Sequence, residues 1–290
     1  MKIGILATAN EYTVDPATLA REMEHLGFES IWLPEHPVLP VHTTTPLPET
    51  PPGQGQIPEA YSHISDPFIG MAMAAGATTR LKVATGVCIV PERNPLLTAN
   101  ELASLDHFSD GRVLFGIGAG WLKEESEILG ADFAHRWTQT REYIAVMREL
   151  WNKDEASFAG KYVKFSPVRL YPKPRQKNGP PVLIGSKDKN ALRWVAQWGD
   201  GWCPIFLTPE VMRTELKKLR DECDRAGTSF DRLDISIFKR ELRGSRTEVQ
   251  QGLKQYEDVG VHRFIIMQIG GRFDAANYSS ELERLASLYL

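Results

Sequence analysis

The chain has 290 residues, 24% of them charged and 42% hydrophobic, which excludes a disordered or fibrous protein and is enough to build a proper core. Its 34 basic and 37 acidic residues leave a net charge of −3, and the basic ones are scattered, so neither a nucleic-acid nor a membrane partner is expected. The apolar run in the opening MKIGILATAN is too short for a signal core, and no later window suits a membrane helix, so a cytoplasmic protein is expected.

In chain order, periodicity predicts strand KIGILAT, helix DPATLAREMEHLG, strand FESIWLP, a long proline-rich loop, and helix DPFIGMAMAAGA. Strand LKVATGVCIV then leads to helix LLTANELASLDHFS, RVLFGIGAG to RWTQTREYIAVMRELW, and PVLIG to KNALRWVAQWG. The pairs DGWCPI with PEVMRTELKKLRDECDRAG, LDISIFK with RTEVQQGLKQYEDVG, and RFIIMQ with SSELERLASLYL bring the total to eight. Eight strand and helix pairs without a break in composition predict one α/β domain over 1–290, a single (β/α)8 TIM barrel. Two segments exceed a minimal barrel. Residues 37–66, after strand two, are expected to be a lid on the catalytic face. Residues 152–180, between strands four and five, alternate like a small hairpin and fit a barrel-bottom decoration as well as a lid.

Strand three runs through Val83, Val87, Ile89 and Val90, as suits a strand covered on both faces, and stops at Pro91, Glu92, Arg93 and Pro95. Polar residues at that end of a barrel strand lie where ligands bind, although a turn before a helix has the same composition. Strand two ends in Glu35 and His36, a carboxylate beside an imidazole, which can hold and tune a proton near neutral pH. After strand five, Gly185 and Ser186 precede Lys187, Lys189, Asn190 and Arg193 at a helix start, a pattern shared by phosphate sites and ordinary helix caps. The glycines Gly116, Gly118 and Gly120 miss the dinucleotide spacing and better suit close packing of backbone against a flat ring. No H-x-H on strand one, H-E-x-x-H or G-x-S-x-G is present, and Lys239 reads as a solvated residue, not a Schiff-base lysine. Cys88, Cys203 and Cys223 are odd in number and lack C-x-x-C spacing, so reduced structural thiols and no metal site are expected.

The stretches GFESIWLPEH, LKVATGVCIVPERNPLLTANELASLDHFSDGRVLFGIGAGWLKEE, YIAVMRELW and PPVLIGSKDKNALRWVAQWGDGW carry a resemblance nearly end to end. The chain resembles the bacterial luciferase-like monooxygenase superfamily, in its branch that uses the deazaflavin coenzyme F-420. The resemblance implies that strand three, at Thr85, Gly86 and Val87, lies under the cofactor ring, with a bulge and a non-prolyl cis peptide near Gly86 and Val87. It further implies that His36, with Glu35, faces the reactive ring edge. Gly118, Ala119 and Gly120 pass beside the ring, and the loop from Gly185 through Ser186, Lys187 and Lys189 to Asn190 holds the phosphate. Many relatives have a second glycine at Ser186 and a neutral residue at Lys187. The implied activity is hydride transfer between reduced F-420 and a small organic substrate, in a homodimer. An FMN-dependent monooxygenase using molecular oxygen and a non-catalytic flavin-binding protein are the alternatives.

Overall fold

The computed structural model describes residues 1–48, 57–268 and 273–290. In chain order the strands are β1 (Lys2–Ala7), β2 (Ser30–Leu33), β3 (Lys82–Ile89), β4 (Val113–Gly118), β5 (Ala156–Ala159), β6 (Lys164–Val168), β7 (Val182–Ile184), β8 (Gly201–Trp202), β9 (Asp234–Lys239) and β10 (Arg263–Gln268). All but β5 and β6 pair in parallel and close a barrel in the order β1-β10-β9-β8-β7-β4-β3-β2. This is the (β/α)8 barrel that the alternation predicts. The eighth predicted strand closes onto the first, with Lys2 opposite Arg263 and Ala7 opposite Gln268.

The helices are α1 (Pro16–Leu26), α2 (Pro67–Ala77), α3 (Pro95–Phe108), α4 (Lys123–Ile128), α5 (Arg136–Asn152), α6 (Ala191–Trp198), α7 (Pro209–Ala226), α8 (Arg246–Asp258) and α9 (Tyr278–Tyr289). Local chemistry sets several of their starts. Asp15, Asp66 and Asn94 each accept from first-turn N–H groups, and each is followed by a proline whose missing N–H has no role in that turn. Ser245 and Glu248 form a reciprocal capping box at α8. The sequence reading had no counterpart to α4, which is too short to show a helical period.

Two further departures have local causes. The predicted strand DGWCPI shrinks to Gly201–Trp202, because Pro204 cannot donate to the ladder and Phe206 turns into the left-handed region at φ 60°. Residues 152–180 do form a hairpin, β5 against β6. It packs beside α5, where Glu142 accepts from the backbone N–H groups of Lys161, Tyr162 and Val163.

The barrel interior is layered. At its N-terminal end Arg263 is fully buried and donates to Glu29, Asp234 and Ser236. Burial alone would raise both acids, but the guanidinium outweighs it and holds Glu29 and Asp234 below the usual carboxylate range. Above lies an apolar layer that includes Leu6, Trp32, Leu114, Leu183, Phe238 and Ile265. Val87, Ile205 and Met267 pack on it and remain partly exposed, so the C-terminal mouth has an apolar floor. Of the 37–66 insertion, residues 49–56 lie outside the described residues. Of the rest, Ser65 is bonded to Ala9 beyond β1, and Thr44 and Thr45 are bonded to Glu124 beyond β4.

Candidate active site

β3 is where the floor is shaped. Its pairing with β4 slips between Thr85 and Cys88, and the Gly86–Val87 peptide is cis, as the resemblance implies. Thr85 is fully buried and its hydroxyl donates to Gly116 O at 2.6 Å, so it clamps the bulge and does not face the mouth. Gly116 serves the same joint, since a Cβ there would collide with the Thr85 carbonyl oxygen. Its packing is therefore strand on strand, and the expectation of packing against a ring does not extend to it. Val87 reaches the mouth between two glycines, because a Cβ on Gly118 or Gly185 would come within 3.0 Å and 2.9 Å of its methyl groups. The structure thus brings Val87, Gly118 and Gly185 together as one flat patch.

His36 is buried at this mouth, 8% exposed, with its ring 5.2 Å from Tyr61 and 5.8 Å from Trp121 between centroids. Its Nδ1 lies 2.7 Å from Glu125 Oε2. With Nδ1 held there, Nε2 is the ring nitrogen left for a reacting group. The expected partner, Glu35, points elsewhere. Its Oε2 accepts from Ile89 N and its Oε1 from Arg93 Nε, each at 2.6 Å, and Arg93 also bridges to Asp66. The physical reason is the chain path leaving β2, where neighbouring residues face opposite sides. Glu35 fastens β2 to β3 and α2, and Glu125, 89 residues from His36 in the chain, takes the orienting role.

Glu125 belongs to a second buried group, of which the sequence reading marked only Glu92, among the polar residues at the end of strand three. Glu92, at the turn after β3, accepts from Ser126 Oγ at 2.6 Å. Glu92 Oε2 and Glu125 Oε1 are buried and have no hydrogen-bond partner among the described residues. Burial, with the charges of Glu125 and Glu35 adding to it, raises the Glu92 carboxyl to about 8. Gly120, in the left-handed region at φ 83°, lies against this group, since a Cβ would stand 2.8 Å from Ser126 Oγ and 3.1 Å from Glu92 Oε1. Ala119 is buried beside it. An acid just beyond a barrel strand was the available signal for both residues. Glu124 and Glu125 stand in the first turn of α4, after β4.

The loop after β7 is ordered by its own groups. Ser186 Oγ accepts from Asp188 N at 3.1 Å, Trp202 Nε1 donates to Ser186 O at 2.9 Å, and Asp188 accepts from Asn190 N at 2.8 Å. Lys187 and Lys189 are exposed on it. The loop therefore meets the mouth at Gly185 and carries its cations at the rim, with the Asp188 carboxylate among them.

A family model described as luciferase-like monooxygenase matches residues 7–242. An uncharacterized protein of Mycobacterium tuberculosis is 37% identical over 232 residues, 78% of this chain and 80% of the relative. Solved structures of similar fold include a monooxygenase from Streptomyces bottropensis, at TM-score 0.80 and 20% identity, covering 99% of this chain and 98% of that one. The coenzyme F420 dependent tetrahydromethanopterin reductase from Methanopyrus kandleri aligns at TM-score 0.76 and 17% identity, over 99% and 97% of the two chains. The oxygenating constituent of 3,6-diketocamphane monooxygenase from Pseudomonas putida, in complex with FMN, aligns at 0.65 and 18%, over 87% and 70%. With a barrel whose mouth carries a buried imidazole over an apolar floor, and a family match spanning most of its length, the chain belongs to the luciferase-like monooxygenase family of oxidoreductases.

Proposed function

We propose that the protein transfers a hydride between the deazaflavin coenzyme F-420 and a small organic substrate, with His36 exchanging the accompanying proton. The observation that carries this reading is the buried His36 ring, its Nδ1 fixed by Glu125 above an apolar floor. An imidazole held this way keeps one nitrogen for proton transfer and excludes bulk water from the exchange.

The residues present fit such a coenzyme. Val87 with Gly118 and Gly185 offers a patch on which a flat ring can lie without meeting side-chain bulk. Ala119 and Gly120 would flank it, and Ser186, Lys187, Lys189 and Asn190 would hold its phosphate. When bound, the coenzyme supplies the two-electron carrier. Tyr61 and the segment tied down by Glu124 would close the mouth as a lid. An FMN-dependent monooxygenase using molecular oxygen is the second reading, favoured by the monooxygenases among the similar structures. A protein that only binds its cofactor would have no use for a buried imidazole paired with an acid.

Titration of the purified protein with F-420 and with FMN tests the choice. Saturable binding of F-420 at least tenfold tighter than FMN is expected. Binding of FMN alone replaces this reading with the second, and binding of neither removes both. Among the described residues, no helix is long and apolar enough to cross a membrane. We also propose a homodimer through the barrel helices. On α2, buried residues face the barrel while Ile69, Ala72 and Met73 are exposed, a face apolar on both sides that suits burial against a second copy. A monomer by light scattering at micromolar concentration would count against it.

A further inference from the structure

The carboxyl group of Glu92 has no place in the function proposed above, yet it lies beside the residue that holds His36. Glu92 is 8% exposed, and Glu125 and Ser126 are fully buried. The charged and polar groups that face Glu92 are Glu35 beyond β2, its neighbour Arg93 beyond β3, the Gly120 backbone beyond β4, and Glu125 and Ser126 from α4. Arg93 offsets the Glu92 charge only in part, because its guanidinium is directed at Glu35 and Asp66. Among the described residues, the hydrogen bond that remains to Glu92 is from one hydroxyl, at 2.6 Å.

Two ionised carboxylates in one buried group, joined through Ser126, would leave Glu92 Oε2 and Glu125 Oε1 as acceptors without donors among the described residues, a costly arrangement in a low-dielectric site. One shared proton resolves it, as in other pairs of close carboxyl groups. We propose that Glu92 and Glu125 hold a single proton between them at neutral pH, with Glu92 the neutral member, and that Glu92 is thereby a positioning residue that keeps Glu125 anionic against His36 Nδ1. The assignment within the pair follows from the partners. Glu125 has an imidazole hydrogen-bonded to it, whereas the hydrogen-bond partner of Glu92 among the described residues is the Ser126 hydroxyl. The upward displacement of Glu92 to about 8, caused first by burial and then by its acidic neighbours, agrees with this assignment. Loss of that proton would place a second negative charge beside the His36 pair. The proton is conserved throughout, since it leaves Glu92 Oε2 for solvent as the pH rises and returns as the pH falls.

The inference rests on the proposed role of His36 only for its consequence in turnover, so the first test uses cofactor-free protein. In a sample with 13C-labelled histidine side chains, the His36 resonance is identified by its loss in His36→Asn. Between about pH 7 and 9 this resonance should show an extra titration step in the wild type that is missing in Glu92→Gln, which retains an oxygen for Ser126 but cannot ionise. Identical curves in the two proteins would overturn the proposal. Should Glu92→Gln not fold, Ser126→Ala decides. Removing the hydroxyl that favours the charged form must move the extra step to higher pH, and an unmoved step overturns the proposal just as well. Under turnover, the ratio of the rate at pH 9 to that at pH 6.5 should change at least threefold between wild type and Glu92→Gln. If the resonance shows the extra step but the ratio is unchanged, the shared proton stands and the proton-transfer role of His36 fails.

Discussion

Replacing Arg263 with methionine tests the electrostatics of the barrel floor without touching the mouth. The guanidinium is 0% exposed and lies 2.8 Å from both Glu29 Oε2 and Asp234 Oδ1, with Ser236 as a further acceptor. Methionine fills much of the volume but leaves two carboxylates facing a neutral thioether. Removing one partner of a buried ion pair costs about 3 to 5 kcal/mol, mostly as the penalty of the charge left behind. The acids are 20% and 25% exposed, so water reaches them and the lower end, about 3 kcal/mol, is expected. The pH dependence identifies the cause. In the wild type both acids are held below their ordinary values of 4.5 and 3.8, so their stabilisation is present above that range and is lost as the pH falls below it. In Arg263→Met burial, the largest cause, is opposed only by the weaker pull of Lys82 and Ser30 on Glu29 and of Ser236 and Lys2 on Asp234, so both acids rise, and the folded variant takes up protons more readily than the unfolded chain and gains stability as the pH falls. Urea unfolding at pH 7.5 and pH 5 should therefore show a gap between variant and wild type of about 3 kcal/mol that shrinks by half or more at the lower pH. A gap that is the same at both pH values, or below about 1 kcal/mol at pH 7.5, would refute the reasoning. Cofactor affinity should remain within twofold, because the cluster lies at the opposite end of the barrel.

At the mouth, His36→Asn should keep cofactor affinity within a few-fold and lower turnover by about a hundredfold, as for loss of a general acid or base. Abolished cofactor binding with an unchanged single-turnover rate per bound cofactor would make the residue a packing element instead. Glu125→Gln, not Glu35→Gln, should move the pH optimum of turnover toward acid, because it removes the anion that favours the protonated ring, and pH–rate profiles of both variants decide this. Reversing charge at Lys187 and Lys189 together should weaken cofactor binding by about 1 to 3 kcal/mol, and unchanged affinity by titration would reduce the loop to a helix cap. Glu124 accepts from the N–H and hydroxyl groups of Thr44 and Thr45; burial opposes their effect, but they win and hold it at about 2. This tether is at full strength above the ordinary value of 4.5 and is lost as the pH falls toward about 2. Glu124→Gln should speed hydrogen exchange at Thr45 N roughly fivefold at pH 7, about 1 kcal/mol after allowance for solvent screening.

The sequence by itself determined the features that depend on neighbours in the chain. The alternation of apolar strand segments with helical periods marked the eight barrel strands. Asp15–Pro16, Asp66–Pro67 and Asn94–Pro95 mark helix starts, because capping needs only a side chain and the next few N–H groups. His36, the glycines after β4 and the loop from Gly185 were legible in the same way, since the end of a barrel strand is a local property and the fold assigns every such end to one face. Strand closure and register decided the rest. Adjacency suggested that Glu35 serves His36, but the chain leaving β2 turns the two to opposite sides, and the acid that reaches Nδ1 arrives on α4, a helix of six residues that shows no period of its own. Thr85 and Gly116 looked like parts of a cofactor surface until the slip in the β3–β4 pairing bonded one to the other. The proton shared by Glu92 and Glu125 depends on burial and on where Arg93 points, and both are set only once distant segments pack. Periodicity and capping act over a few residues, whereas the charges, donors and empty lone pairs of the site are balanced across the closed barrel.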